Sequence, residues 1–253
     1  MSQLHADKSS RAPLFAVLVI AAIVRAGVLF ASGDALQRDP DAYRRLAADW
    51  PQTGVYGLRD PSSGASRPTA FRPPLYPLIL AAFSGAGPVS STTVAVLHWL
   101  AGLTTVALAY RLAHQSGIAI AAAPAALLVA VDPLLLNQST QVMTETLATL
   151  LAVAALVALA RLDNKPTVRS ALGAGVIWGL AVLCRPSFLP WLPLVIAAAA
   201  WHVRRLPLPD RRARWKTLAA LAGSALLTLT PWAARNALVL GIPKVSTTHG
   251  GYT

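Results

Sequence analysis

Long apolar runs alternate with short polar segments over most of the 253 residues. The first run, residues 13–32, has about the 20 residues that a helix needs to cross a bilayer. Further runs predict membrane helices over residues 91–110, 117–136, 144–161, 170–185, 187–203 and 217–237. The pattern predicts an all-α integral membrane protein with about seven transmembrane helices. Arg25 interrupts the first run, and we expect its charge to face other helices or, as the favoured alternative, to reach towards an interface.

A long polar segment, residues 33–90, separates the first two of these helices. In it, Asp39-Pro40 predicts the start of a helix, with Asp39 as its N-cap and Pro40 at its first position. Apolar and aromatic residues then recur at helical spacing: Tyr43, Leu46, Ala47 and Trp50. Residues 40–50 are therefore predicted to form an amphipathic helix in the membrane interface, and residues 51–70, rich in Gly, Pro and Ser, to form a loop.

Residues 73–87 are apolar but short and broken by prolines, so their length does not decide whether they cross the membrane. Loop charge decides it, because cytoplasmic loops carry an excess of Lys and Arg. If residues 73–87 lie on the outer face, residues 161–169 and the basic residues 202–216 are both cytoplasmic. The predicted order is a cytoplasmic tail (1–12), helix 1 (13–32), an extracytoplasmic loop with juxtamembrane helices (33–90), helices 2–7 (91–237) and an extracytoplasmic loop (238–253).

Composition supports the membrane class and excludes several others. Hydrophobic residues make up 55% of the chain and charged residues 13%, against about 25% charged in soluble domains. The net charge of +12 is spread between apolar runs, which indicates membrane topology rather than a nucleic-acid partner. The single cysteine, Cys184, excludes an internal disulfide and a zinc–cysteine cluster.

Five short motifs occur in order along the chain. They are Asp39-x-x-x-Tyr43 with Arg72-Pro73-Pro74-Leu75-Tyr76-Pro77, Met143-Thr144-Glu145-Thr146-Leu147, Leu183-Cys184-Arg185-Pro186, Pro231-Trp232-Ala233-Ala234-Arg235-Asn236 and Thr247-Thr248-His249-Gly250-Gly251-Tyr252. In this order they resemble the membrane glycosyltransferases with the C-type fold, and among them the bacterial protein O-mannosyltransferase and aminoarabinose-transferase-like enzymes. The resemblance implies transfer of a sugar from a polyprenyl-phosphate donor to a glycan, lipid or protein acceptor at the outer face of the cell (inner or plasma) membrane.

The resemblance also implies roles for the acidic residues. Asp39 matches the family's aspartate and would take the proton from the acceptor hydroxyl; the structural alternative is helix capping. Asp41 would support Asp39 or bind a metal, and its alternative is a favourable charge in a first helical turn. Glu145 would bind substrate or a divalent cation such as Mg²⁺ or Mn²⁺, and its alternative is a partner for a helix dipole.

The basic and aromatic residues of the motifs complete the implied site. Arg72 and, second to it, Arg185 would bind the donor phosphate, because the guanidinium fork suits phosphate geometry. Their alternative is interface anchoring and topology. Tyr43 and Tyr76 would contact substrate.

Relatives in this family continue past the position of Thr253, so the resemblance covers the shared N-terminal module. We therefore expect a fragment, a natural truncation or half of a split enzyme. The alternative function is a non-catalytic membrane protein that binds or transports a lipid carrier, or an inactive truncated paralogue.

Overall fold

The computed structural model describes residues 2–60, 62–84 and 87–248. The described chain is mainly helical. Its helices are α1 (Ser2–Ala31), α2 (Tyr43–Thr53), α3 (Leu75–Ser84), α4 (Ser91–Gln115), α5 (Ala122–Val131), α6 (Pro133–Ser139), α7 (Glu145–Asn164), α8 (Val168–Cys184), α9 (Trp191–Arg204) and α10 (Leu208–Leu240). Two short antiparallel strands, β1 (Gly57–Arg59) and β2 (Ser66–Pro68), form a hairpin in the first loop, with Gly57 opposite Pro68.

Five helices of the described chain are long and apolar enough to cross a membrane. They cover Ala12–Ala31, Ser91–Gln115, Glu145–Asn164, Pro186–Arg204 and Asp210–Leu240. The bent pair α5–α6 makes a sixth if it crosses as one unit, whereas α8 has only 17 residues. The all-α membrane class is confirmed, and the count of seven transmembrane helices stays a prediction.

A sharp bend divides the predicted helix 117–136. The helices α5 and α6 meet at Asp132-Pro133 with an angle of 49°. Pro133 has no N–H to continue the ladder of α5, and the Asp132 side chain instead accepts from the Leu135 N–H at 2.9 Å. Asp132 is therefore a capping residue at a helix break.

The helix predicted over residues 40–50 begins later than predicted. It starts at Tyr43, and its N-cap is Ala42 rather than Asp39. Ala42 has φ 61°, in the left-handed region that L-residues seldom occupy, so the backbone turns sharply just before the helix. The short apolar helix α3 lies within the predicted residues 73–87, and the β-hairpin lies in the segment predicted as a loop.

The chain divides into two compact units. The first comprises Met1–Asp41 and Ser90–Val157. Its core packs α1, α4 and α5 through small residues such as Ala21, Ala122 and Ala126, which let the helices approach closely.

Arg25 lies inside this first unit. Its side chain is only 2% exposed, and Nη2 donates to the Val129 carbonyl at 3.1 Å. Gly102 makes room for it, because a Cβ there would lie 2.5 Å from Nη1. The expectation that Arg25 reaches an interface was therefore wrong: its guanidinium finds a carbonyl partner on α5 instead.

The second unit comprises Ala42–Val89 and Ala158–Thr253. Its central contact is α8 against α10. A Cβ on Gly175 would lie 2.1 Å from the Leu221 carbonyl oxygen, and one on Gly179 would lie 2.6 Å from Thr228 Cβ. The two glycines therefore set how closely these helices pack.

Candidate functional site

Arg72 lies against aromatic rings in the first loop. Its guanidinium carbon is 4.6 Å from the centre of the Phe71 ring and 5.5 Å from that of Tyr43. Tyr43, at the start of α2, meets Tyr76 of α3 edge to face with their ring centres 5.2 Å apart. A guanidinium stacks on a ring through its flat face, and its N–H donors lie in its plane.

Tyr56 holds the backbone on which Arg72 sits. Its hydroxyl donates to the carbonyl oxygens of Arg72 at 3.1 Å and Pro73 at 3.2 Å. Burial raises the pKa of Tyr56 well above its ordinary value, so the hydroxyl keeps its proton and stays a donor. The position of Arg72 thus depends on a tyrosine 16 residues earlier.

Arg235, near the end of α10, ties both sides of the hairpin to the helix. Nη2 donates to the Tyr56 carbonyl at 2.8 Å, and Nη1 donates to the Thr69 carbonyl at 2.8 Å and to Asn236 Oδ1 at 2.9 Å. Its guanidinium also stacks 5.1 Å from the Trp232 ring centre. Arg235 had no role predicted from the sequence. The available signal was its place beside Trp232 near the end of an apolar run.

The segment after α10 returns to the same loop. Trp232 Nε1 donates to the Ser246 carbonyl at 2.7 Å, and the Thr247 hydroxyl donates to the Phe71 carbonyl. The Thr248 N–H donates to the Ala70 carbonyl at 2.9 Å. The last motif thus begins beside residues 70–71, although its remainder, including His249, lies outside the described residues.

A cavity of about 370 Å³ opens beside this cluster, within the second unit. Most of its lining is apolar or aromatic, with Arg235 as a charged contributor. The lining includes Trp50, Tyr56, Pro74, Leu78, Trp232 and Arg235. Its volume is in the range of small-ligand pockets, and Tyr56 links its wall to the backbone of Arg72.

Asp39 and Asp41 lie in the first unit, in the segment that leads to α2. Both are half-buried. Neither structural alternative predicted for them holds, because Ala42 is the N-cap of α2 and the first turn of α2 contains no acidic residue. The cause is the left-handed turn at Ala42, which starts the helix three residues later than Pro40.

Glu145 is the first residue of α7 and is half-buried. This position agrees with the structural alternative predicted for Glu145, an interaction with the helix dipole, because a carboxylate is favourable at a helix N-terminus. His98 of α4 is buried, interacts electrostatically with Glu145, and has Nδ1 2.8 Å from the Ser139 carbonyl. Because a carbonyl only accepts, Nδ1 carries the hydrogen. His98 was not among the predicted site residues, although an ionisable residue inside an apolar run is a general sign of a site.

The structure brings some of the predicted residues together. Arg72, Tyr43 and Tyr76 form one cluster in the second unit. Arg185 belongs to the same unit, half-buried at the C-cap of α8. Asp39, Asp41 and Glu145 belong to the first unit. Among the described residues, His, Cys, Asp and Glu side chains form no group of three or more that could hold a metal ion.

Comparison with known proteins places the chain in a family. The model of the dolichyl-phosphate-mannose-protein mannosyltransferase family matches residues 71–234, which is more than half of the chain. The match includes Arg72, Tyr76, Glu145 and Arg185, and it begins after Asp39, Asp41 and Tyr43. Searches of curated proteins and of solved structures found no match. The chain therefore belongs to the dolichyl-phosphate-mannose-protein mannosyltransferase family, which consists of membrane glycosyltransferases of the C type.

Proposed function

We propose that this protein transfers a sugar from a polyprenyl-phosphate donor to an acceptor at the extracytoplasmic face of the membrane. The acceptor is a glycan, a lipid or a protein with a reactive hydroxyl. Family membership supports the reaction class. The observation that carries the proposal further is the contact of Arg72 with the Phe71 and Tyr43 rings. The backbone of Arg72 is held by Tyr56, which lines the largely apolar cavity.

Arg72 suits a leaving phosphate. The Phe71 and Tyr43 rings lie against its guanidinium, and Tyr56 fixes its backbone. A cation placed in advance at the leaving oxygens stabilises the charge that develops as the glycosidic bond breaks. Arg185 is the second candidate for the same anion.

The neighbouring cavity suits the lipid part of such a donor. Trp50, Leu78 and Trp232 give it apolar walls. An isoprenoid chain gains free energy by leaving water for an apolar lining. The donor would thus place its chain against this cavity and its phosphate towards Arg72. Tyr43 and Tyr76, predicted to contact substrate, are both buried, so they would hold Arg72 in place rather than touch the sugar.

In the reaction the acceptor oxygen attacks the anomeric carbon and forms the new glycosidic bond. The bond between that carbon and the donor phosphate oxygen breaks, and the phosphate leaves with the electron pair. Asp39 takes the proton of the acceptor hydroxyl. Because α2 is capped by Ala42, helix capping does not account for Asp39.

Asp41 and Glu145 have supporting roles in this proposal. Asp41 supports Asp39 from two residues further along the same segment. Glu145 contacts substrate. A divalent cation remains a prediction, because the His, Cys, Asp and Glu side chains of the described residues form no group of three or more that could hold one.

The test replaces Asp39→Asn, which removes the base and keeps the size of the side chain. We expect transfer from a labelled polyprenyl-phosphate sugar to a mixed acceptor pool to fall by about 10²–10⁴, the usual contribution of a general base. Membrane insertion and expression should stay normal.

Asp34→Asn is the matched control, because Asp34 is an exposed acid five residues earlier whose side chain makes no cap hydrogen bond. It should keep full transfer. Normal transfer by purified Asp39→Asn would refute the base assignment. No transfer by the unmodified protein with any acceptor would favour the non-catalytic alternative.

A further inference from the structure

Two connections of the second unit lie at one end of α10. One joins α7 to α8 and the other joins α9 to α10. Arg214, in the first turns of α10, donates from Nη2 to the Asp163 carbonyl at 3.3 Å, and its Nη1 is 3.8 Å from Asp163 Oδ1. This contact places the two connections side by side.

The surface that they form is strongly basic, and we call it the basic end. It contains nine cationic residues: Arg161, Lys165, Arg169, Arg204, Arg205, Arg211, Arg212, Arg214 and Lys216. Only two acids, Asp163 and Asp210, lie among them in sequence. All nine except Arg211 and Arg214 are exposed, so most of this charge faces outward.

Two tryptophans border the basic end. Trp201 on α9 is 61% exposed and Trp215 on α10 is 37% exposed. The Arg205 guanidinium stacks 4.6 Å from the Trp201 ring centre. Exposed tryptophans beside cations at the ends of apolar helices are typical of the headgroup level of a bilayer.

We propose that the basic end binds the phosphate headgroups of anionic membrane lipids. Each Lys or Arg near an anionic membrane surface adds to the attraction, and seven exposed cations offer more positive charge than the two acids offset. The tryptophans and the apolar continuation of α10 place these cations at headgroup depth. This favours a lipid over a soluble polyanion and is independent of the proposed transferase activity.

The experiment uses the purified full chain in nanodiscs made of equal parts phosphatidylglycerol and phosphatidylcholine. Spin-labelled forms of the two lipids report how strongly each associates with the protein surface. Nanodiscs have no inside or outside, so a change in membrane orientation cannot alter the result. We expect phosphatidylglycerol to be preferred by about tenfold at low salt, and by much less at 0.5 M NaCl, where exposed charges are screened.

The test variant combines Arg204→Gln, Arg205→Gln and Arg212→Gln. Its matched control combines Arg59→Gln, Arg67→Gln and Lys244→Gln, which removes the same charge from the other end of α10. Arg235 binds both flanks of the hairpin and so fixes the hairpin at that end of α10. Arg235 lies 23 residues beyond Arg212, and each helical residue adds about 1.5 Å, so the two ends are about 35 Å apart along the helix.

In the test variant, the preference for phosphatidylglycerol over phosphatidylcholine should fall about fivefold or more. In the control it should stay unchanged. A third variant, which combines Arg204→Lys, Arg205→Lys and Arg212→Lys, preserves the charge and should keep the preference. The proposal is overturned if the Gln test variant still prefers phosphatidylglycerol, if the control loses as much, or if the Lys variant loses the preference as well.

Discussion

At the scale of single residues, the backbone strain nearest the candidate base is at Ala42. Ala42 has φ 61° and is buried directly after Asp41. A non-glycine residue in this region costs about 1–2 kcal/mol, and such strain persists only where the surrounding structure enforces it. It is the feature that separates Asp39 and Asp41 from helix α2 and leaves them in an irregular segment.

The first prediction concerns this strain. Ala42→Gly should leave the free energy of unfolding within about 1 kcal/mol of the parent, because glycine adopts the left-handed region at little cost. Ala42→Val should lower it by about 2 kcal/mol or more, because a β-branched side chain fits this region poorly. Thermal unfolding in detergent measures both.

Ala48, five residues into α2, provides the control. In an ordinary helical position Gly costs about 1 kcal/mol, and Val costs less. The order of the two variants should therefore reverse between positions 42 and 48. The same order at both positions would contradict a strained Ala42.

Residue roles were the hardest part to predict from the sequence. The sequence placed Arg72, Tyr43 and Tyr76 in one loop, but their stacking depends on the fold of α2 against α3. Asp39 was predicted as a cap because Asp-Pro is a strong helix-start signal. Nothing in the local sequence indicates that Ala42 adopts a left-handed backbone conformation, because tertiary contacts impose that conformation.

At the scale of elements, the contact between α8 and α10 depends on two glycines one turn apart. Gly175 and Gly179 face α10, where the Leu221 carbonyl and Thr228 leave no room for a side chain. Gly173 lies on the same helix, and a Cβ there meets no atom within 4 Å. The glycines of α8 let its backbone approach that of α10 closely, and such close packing favours helix association in a bilayer.

The second prediction compares these glycines. Gly175→Ala should lower the free energy of unfolding by about 1–3 kcal/mol, because the new methyl group forces α8 and α10 apart. Gly173→Ala should be neutral or slightly stabilising, because alanine favours a helix over glycine. Thermal unfolding of the two variants side by side gives the answer, and equal effects would show that the helices are not held by this contact.

The apolar runs predicted the helices well because length and hydropathy alone decide them. The prediction 91–110 corresponds to α4, and 144–161 corresponds to α7. The run 117–136 is divided by a bend at Asp132-Pro133, which hydropathy does not indicate, and whether the bent pair crosses as one span stays a prediction. The β-hairpin was missed because strands of three residues are too short to show alternation.

At the scale of the whole molecule, the proposed chemistry requires Asp39, Glu145 and Arg72 to lie on the same side of the membrane. Loop charge predicts that the basic end is cytoplasmic and that the first loop is extracytoplasmic. Asp39 and Glu145 should then share the outer face with Arg72. This arrangement follows from the distribution of Lys and Arg along the chain.

The last prediction tests it by labelling single cysteines in intact cells with a membrane-impermeant reagent. Cys184 is buried and should react little, so it can stay in place or be replaced by Ser as the background. Ser63→Cys in the hairpin turn and Asn137→Cys, eight residues before Glu145, are at exposed positions and should be labelled from outside. Ala213→Cys in the basic end should be labelled only after the membrane is opened. Labelling of positions 63 and 137 from opposite sides would separate Asp39 from Glu145 and leave the transferase without a common site at which donor, acceptor and base can meet.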